Sequence, residues 1–248
     1  MTEPVTPYHP GYRNLLPEIT VVEDANEVHV TGVFYGPLIF EAVEDGRRHV
    51  VEAGQATDRI ELGAGDDWVN TWDGDDYIAT GAGGDFINAG AGKKTVFAGE
   101  GNDTVWSGTG DDQIWMGAGN DLALGRAGND IIHGEGGTDS ITGNAGADVL
   151  FGGSDADIFK YVSASDSTAT STDRIADFEV ALDRIDLAEI GTLTFIGRAG
   201  FSGTGQIRYE TGGDTTMVYA NISGDLEADL VIALTGNIDL SGANFILG

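Results

Sequence analysis

Apolar residues recur every nine positions along the middle of the chain. Eleven consecutive nonamers run from Leu62 to Lys160, and their eighth residue is Val, Ile, Leu or Phe in every copy but one. The fourth residue is Gly and the sixth is Asp, with one exception each. A further, degenerate copy from Ala53 keeps Asp58 and Ile60. The repeated apolar position is occupied by Val69, Ile78, Ile87, Val96, Val105, Ile114, Ala123, Ile132, Ile141, Leu150 and Phe159.

This period predicts a parallel β-solenoid. Three residues around position eight form a short strand, with the middle side chain pointing inward and its neighbours outward. The other six residues are rich in Gly and Asp, which favour turns. Two nonamers then complete one coil, so the strands stack in two parallel sheets. The predicted class is all-β.

The segments that flank the repeat predict caps over its ends. Residues 1–52 contain no nonamer, and EVHVTGVFY and PLIFEAV predict short strands there. A solenoid needs its open ends covered, so we expect an N-terminal β cap over 1–52, a repeat domain over 53–160, and a β-rich cap domain over 161–248.

The position-six carboxylates predict a bound divalent cation. The chain has 12 Lys+Arg against 41 Asp+Glu, for a net charge of −29. Two carboxylates ~4 Å apart repel by about 4 kcal/mol at an effective dielectric of about 20. Calcium reverses this sign, because it accepts carboxylate and backbone carbonyl oxygens in flexible geometry. Magnesium demands a stricter octahedron, and His is not part of the repeated pattern, which disfavours zinc. The expected carboxylates form two rows: Asp58, Asp76, Asp112, Asp130 and Asp148 in one, and Asp67, Asp85, Asp103, Asp121, Asp139 and Asp157 in the other.

The nonamer resembles G-G-x-G-x-D-x-U-x, the calcium-binding repeat of RTX (hemolysin-type) proteins. The resemblance implies a right-handed parallel β-roll with calcium between successive loops, and roughly five to eight ions. Turn glycines join the candidate metal site through their backbone; they are Gly63, Gly65, Gly81, Gly83, Gly99, Gly101, Gly108, Gly110, Gly117, Gly119, Gly128, Gly137 and Gly146.

Lys94 interrupts one carboxylate row at position six, between Asp76 and Asp112. An ammonium has only donors and cannot ligate calcium. We therefore expect Lys94 to serve as a counter-ion there and to displace calcium from the positions on either side.

The C-terminal third resembles a second family element. Residues 173–187 are similar to D-x-I-x-D-F-x-x-G-x-D-x-I-D-L of serralysin-type RTX proteins, although Ala181 replaces the Gly. This resemblance implies export by a type I secretion machinery to the extracellular space. The N-terminus MTEPVTPYHPGYR has no basic segment followed by an apolar core, so we expect export without a cleaved signal peptide.

Several function classes are disfavoured. The acidity argues against nucleic acid, and no apolar run is long enough for a membrane span. Cysteine is absent, which removes disulfides and thiol chemistry. Neither an H-E-x-x-H zinc motif nor a G-x-S-x-G elbow occurs, so we expect no enzyme activity.

Three functions compete. The first is a secreted calcium-binding RTX protein that folds in extracellular calcium. The second is a non-catalytic module of a larger secreted metalloprotease, lipase or alginate epimerase. The third is a glycan or cell-surface binder, since Phe97, Trp115 and Phe151, with His133 between the last two, recur at intervals of eighteen residues. They predict an aromatic stripe for a polysaccharide or a partner subunit.

Overall fold

The described part of the chain is built from short β-strands. The computed structural model describes residues 19–23, 26–32, 38–42 and 46–248. Within these ranges the only helices are two 3₁₀ turns, Ala164–Asp166 and Gly242–Asn244. The all-β prediction is confirmed, and none of the described segments is a helix of the length and apolarity that a membrane span requires.

Strands are numbered in chain order. They are β1 (Ile19–Glu23), β2 (Glu27–Gly32), β3 (Ile39–Glu41), β4 (Arg48–Glu52), β5 (Arg59–Glu61), β6 (Trp68–Asn70), β7 (Tyr77–Ala82), β8 (Phe86–Asn88), β9 (Thr95–Glu100), β10 (Thr104–Thr109), β11 (Gln113–Ala118), β12 (Leu122–Ala127), β13 (Ile131–Gly136), β14 (Ser140–Ala145), β15 (Val149–Ser154), β16 (Ile158–Lys160), β17 (Asp173–Ile175), β18 (Arg184–Asp186), β19 (Thr194–Phe195), β20 (Gln206–Gly212), β21 (Thr215–Asn221), β22 (Leu230–Thr235) and β23 (Phe245–Ile246).

Successive strands from β3 to β18 alternate between two sheets, so the chain coils around one axis. One sheet has the order β1-β2-β4-β6-β8-β10-β12-β14-β16-β18-β23, and the other β19-β20-β21-β22-β17-β15-β13-β11-β9-β7-β5-β3. Neighbours within the repeat are parallel, and Ile114 lies opposite Val96 on one side and Ile132 on the other. This register confirms the predicted coil of two nonamers.

The predicted apolar column forms the core between the sheets. All eleven position-eight side chains, from Val69 to Phe159, are buried. The position-eight side chains of neighbouring coils therefore pack on one another, and each coil adds two apolar side chains to a thin core. Ala123 leaves the column narrow at one level without interrupting it.

The parallel register extends beyond the nonamers at both ends. Upstream, β2 pairs with β4 and β3 with β5, and both pairs are parallel. Downstream, β17 and β18 continue the two stacks. The sequence change near residue 52 is thus not a change in backbone pairing. The predicted N-terminal strands correspond to β2 and β3, and β1 and β4 also lie within the predicted cap of residues 1–52. The remaining residues of that cap, 1–18, 24–25, 33–37 and 43–45, lie outside the described ranges.

The last strands close one end of the solenoid. Strands β20, β21 and β22 form an antiparallel meander, and β22 joins the stack parallel to β17. In the loop before β22, Asp229 Oδ2 accepts hydrogen bonds from Ile222 N and Ser223 N at 2.6 and 2.8 Å. These bonds make the loop a self-contained turn.

Candidate metal centre

Each position-six residue lies directly before a strand and points into the solenoid. Positions six and eight lie two residues apart, so strand alternation turns both to the same inner face. All eleven predicted row aspartates are at most 4% exposed. The structure therefore brings both predicted rows together as columns of buried carboxyl groups.

One oxygen of each carboxyl group ties neighbouring coils together. Asp85 Oδ1 accepts a hydrogen bond from Asp67 N at 2.7 Å, and Asp130 Oδ1 accepts one from Asp112 N at 2.9 Å. The same contact repeats down both columns at a separation of eighteen residues. This oxygen is satisfied by the protein itself.

The second oxygen is left without a partner in most coils. A buried carboxylate oxygen with no hydrogen bond carries a large desolvation cost. Ten such Oδ2 atoms are buried and unpaired among the described residues: those of Asp67, Asp85, Asp103, Asp112, Asp121, Asp130, Asp139, Asp148, Asp157 and Asp173. In the predicted rows, Asp58 and Asp76 differ, because their Oδ2 atoms accept from Gly54 N and Lys94 Nζ.

Burial shifts the titration of these groups upward. Against an ordinary value of 3.8, desolvation raises the pKa of Asp103 and Asp139 to about 7 and that of Asp130 to about 8. Backbone N–H donors oppose the shift, while neighbouring row carboxylates add to it. A nearby cation would favour the ionised form of these groups at neutral pH.

The donor set fits calcium. No three His, Asp or Glu side chains converge on one point in the described ranges, so any one site must draw most of its oxygens from the backbone. Calcium accepts such mixed carboxylate and carbonyl oxygen sets, whereas zinc requires convergent side chains. The unpaired Oδ2 atoms and turn carbonyls would supply the ligands.

The turn glycines are required by crowding between coils. Position-four glycines have φ from +119° to +155° in the predicted site, and a Cβ on Gly83 would lie 2.1 Å from Gly65 O. Residues at position two of the nonamer also have positive φ in many coils. At this position the backbone conformation is adopted by residues with side chains, namely Arg126, Glu135 and Asn144. Gly63 is the one predicted site glycine outside the positive-φ set. The predicted position-four glycines therefore lie in the turns, whereas Gly81, Gly99, Gly108 and Gly117 lie near the ends of strands β7, β9, β10 and β11. Asp155, the one position-four residue of the nonamers that is not Gly, also has a positive φ, of +81°.

A second ladder at position five lies on the exposed rim of the turns. Asp66 Oδ1 accepts from Gly84 N at 2.9 Å, and Asp111 Oδ1 accepts from Asn129 N at 2.8 Å. A position-five side chain thus accepts from a backbone amide of the next coil, whereas a position-six carboxyl group accepts from an amide of the previous coil. Short Asp and Asn side chains at adjacent positions thus tie each turn in both directions.

Both carboxylate columns continue beyond the nonamers, which the sequence interpretation missed. Asp173 Oδ1 accepts from Asp148 N at 2.9 Å, and Asp183 Oδ1 accepts from Asp157 N at 3.0 Å. Burial raises the pKa of Asp173 to about 9. The insertion at 161–172 changes the spacing within the columns from eighteen to 25 and 26 residues, so the nonamer period does not predict Asp173 or Asp183. The serralysin-like motif, which contains both residues, was the sequence feature that could have identified them.

Basic side chains occupy two position-six levels. Lys94 is fully buried, and its Nζ lies 2.9 Å from Asp76 Oδ2. His49 stands one coil before Asp67, is buried, and places Nδ1 3.0 Å from Asp67 Oδ1. The structure locates the Lys94 ammonium on the Asp76 side alone, because Asp112 Oδ2 has no partner.

Comparison with known families accounts for this arrangement. The peptidase M10 serralysin C-terminal family matches residues 73–247, more than half of the chain. The chain belongs to this family. The RTX calcium-binding nonapeptide repeat, four copies, matches residues 52–87. Both matched elements are non-catalytic modules, and the family is typical of secreted proteins.

Individual relatives resemble parts of the chain. Serralysin C of Dickeya chrysanthemi is 30% identical over 95 residues, which cover 36% of this chain and 19% of the relative, so the match spans about a fifth of that protein. The AlgE6R2 subunit of the Azotobacter vinelandii mannuronan C5-epimerase is 25% identical, with a TM-score of 0.43 over 56% of this chain and 90% of the subunit. The extracellular lipase LipA of Serratia marcescens is 17% identical, with a TM-score of 0.41 over 84% of this chain and 41% of the lipase.

The aromatic stripe on the outer face is a stack of rings. Phe97 and Trp115 are parallel with centroids 4.7 Å apart, Trp115 and His133 lie 5.5 Å apart, and His133 and Phe151 lie 4.3 Å apart. The interplanar angles are 8°, 2° and 7°. Each inner ring, Trp115 or His133, therefore has a stacked neighbour on both of its faces.

Proposed function

We propose that this chain is a secreted, non-catalytic calcium-binding protein whose repeat region folds when it meets extracellular calcium. The observation that carries the proposal is the set of buried, unpaired Oδ2 atoms in the position-six columns. Calcium binding to the folded state alone would stabilise that state by mass action. In low cytosolic calcium the same carboxylates would repel, and the chain would remain unfolded.

The bound ions are assigned to the inner side of the turns. Each site would combine a position-six Oδ2 with turn carbonyls of the glycines named above. We propose roughly five to eight ions, in line with the oxygen coordination that calcium requires. The proposed division is an N-terminal cap over 1–52, a calcium-loaded roll over 53–160 and a C-terminal cap domain over 161–248.

Membership of the serralysin C-terminal family supports export by a type I secretion machinery to the extracellular space. Such a route requires an unfolded chain, which calcium-dependent folding would provide. The second candidate, a calcium-binding module of a larger secreted enzyme, is favoured by the match to about a fifth of Serralysin C. A polysaccharide partner is disfavoured, because sugars stack on ring faces and the inner ring faces of the stripe are covered.

A calcium titration tests the proposal. The chain in calcium-free buffer at neutral pH should gain β-sheet circular dichroism as calcium is added, and calorimetry should give several ions per chain. Magnesium at the same concentration is the control and should have little effect. A full β-sheet spectrum before calcium is added, or no heat of calcium binding, would contradict the proposal. Secretion is tested by co-expression with a type I exporter, with protein in the medium as the expected result.

A further inference from the structure

Lys94 is a buried ammonium inside a column built for metal ions. It occupies position six, its side chain is 0% exposed, and its backbone N donates to Asp112 Oδ1 at 2.7 Å like any row residue. Only the side chain departs from the pattern. It extends toward the previous coil of the same column, where Asp76 lies.

Three oxygens surround the Lys94 ammonium. Nζ donates to Asp76 Oδ2 at 2.9 Å, to Ala91 O at 2.6 Å and to Gly74 O. An ammonium has three N–H donors, so each donor finds one acceptor. The acceptors are one position-six carboxylate and two turn carbonyls, which are the oxygen types that calcium binds.

The equivalent carboxylate oxygen is unpaired throughout the rest of the repeat. Apart from Asp76, all position-six aspartates in the nonamers, from Asp67 to Asp157, have a buried Oδ2 atom without a partner. Asp76 Oδ2 alone among them is satisfied by a side chain, and that side chain carries the positive charge. The ammonium therefore lies beside the carboxylate oxygen that, in the other coils, is left unpaired and could bind an added cation.

We propose that the Lys94 ammonium replaces one calcium ion, so that the coil of Asp76 is held to the next coil without metal. This inference rests on the proposed calcium binding of the other coils. The replacement concerns a single site, because Nζ reaches Asp76 and leaves Asp112 Oδ2 unpaired. It gives the roll one inter-coil tie that chelation cannot remove.

Two asparagine variants provide the first test. Asp76→Asn should leave the number of bound calcium ions unchanged, because Lys94 already occupies that place. Asp130→Asn, at the equivalent position of a coil without lysine, should lower the number by at least one. Bound calcium is measured by metal analysis after equilibrium dialysis. Loss of calcium from Asp76→Asn equal to that from Asp130→Asn would overturn the inference.

Substitution of the lysine provides the second test. Lys94→Asp should bind one more calcium ion per chain than the unmodified protein. Lys93→Asp is the matched control: it makes the same charge change at an exposed neighbour and should leave the ion number unchanged. An unchanged ion number in a folded Lys94→Asp protein would contradict the replacement. If the unmodified protein binds no calcium, the proposed function itself fails, which is a separate result.

Discussion

The buried position-six carboxyl groups should make the repeat region respond to acid in opposite directions with and without calcium. In the calcium-free fold, desolvation raises their pKa far above the unfolded value of 3.8: to about 6 for Asp85, about 7 for Asp103 and about 8 for Asp130. The folded state then holds more protons than the unfolded state between these values. Stability from these groups is present below pH 3.8 and is lost as pH rises through about 6 to 8.

The size of the effect follows from the shifts. For a folded pKa of about 6, lowering the pH from about 8 to about 5 recovers ~1.4 kcal/mol, and for about 7 it recovers ~2.6 kcal/mol. Because the turns border solvent, we halve these values for screening, to ~0.7 and ~1.3 kcal/mol per group. Eight carboxyl groups have a pKa at about 6 or above: Asp58, Asp85, Asp103, Asp130, Asp139, Asp148, Asp157 and Asp173. Together they shift stability by an amount comparable with the ~5–15 kcal/mol of an ordinary domain.

Calcium reverses the sign of this dependence. Its ligands must be ionised, so bound calcium holds the carboxyl pKa values low and protons compete with the metal. Stability contributed by calcium is present above the unfolded pKa and is lost as pH falls through the values of the loaded state. The loaded protein should therefore melt at a lower temperature at pH ~5 than at pH ~8.

Circular dichroism in resin-treated, calcium-free buffer tests both halves of this prediction. β-Sheet signal should be weak at pH ~8 and should rise toward pH ~5, whereas the melting temperature in excess calcium should fall over the same range. Asp103→Asn is the control: its amide keeps the acceptor for Asp85 N but does not titrate, so the acid response should shrink. A calcium-free signal that is flat with pH, or that falls on acidification, would refute the reasoning.

Three further outcomes are expected. Gly83→Ala should lower stability by at least ~2 kcal/mol, measured by thermal unfolding in calcium, because its φ is +137° and the Cβ meets Gly65 O; Gly200→Ala, with nothing within 4 Å, should be nearly neutral. Trp115→Ala should lower the loaded melting temperature through the loss of two stacked pairs, each worth ~0.5–1.5 kcal/mol, and an unchanged melt would contradict a structural role for the stripe. Asp173→Asn should reduce the bound calcium found by metal analysis, and an unchanged number would exclude its unpaired oxygen as a ligand.

The coil and its core were predictable because they depend on a strict local period. Spacing alone places Ile114 opposite Val96 and Ile132, since any slip by one residue would turn the apolar column outward. The burial of the position-six carboxyl groups could also have been predicted from the pattern. Asp112 stands two residues before Ile114, and strand alternation sends both side chains inward, whereas the sequence interpretation considered only repulsion along the rows.

What the period could not provide is the partner of each carboxyl oxygen, because that depends on contacts between coils. Asp148 finds its next neighbour in Asp173, although the chain between them has left the nonamer pattern. The register survives because the backbone amide of each row residue needs an acceptor at that level, and any inward Asp on the next coil supplies one. The insertion can therefore lengthen a coil without breaking the column. The same rule explains how the column accepts Lys94. Its backbone amide still donates to Asp112, so the coil forms as it does elsewhere. The side chain is then not needed for the backbone ladder, and its ammonium can take the place that we propose for a calcium ion.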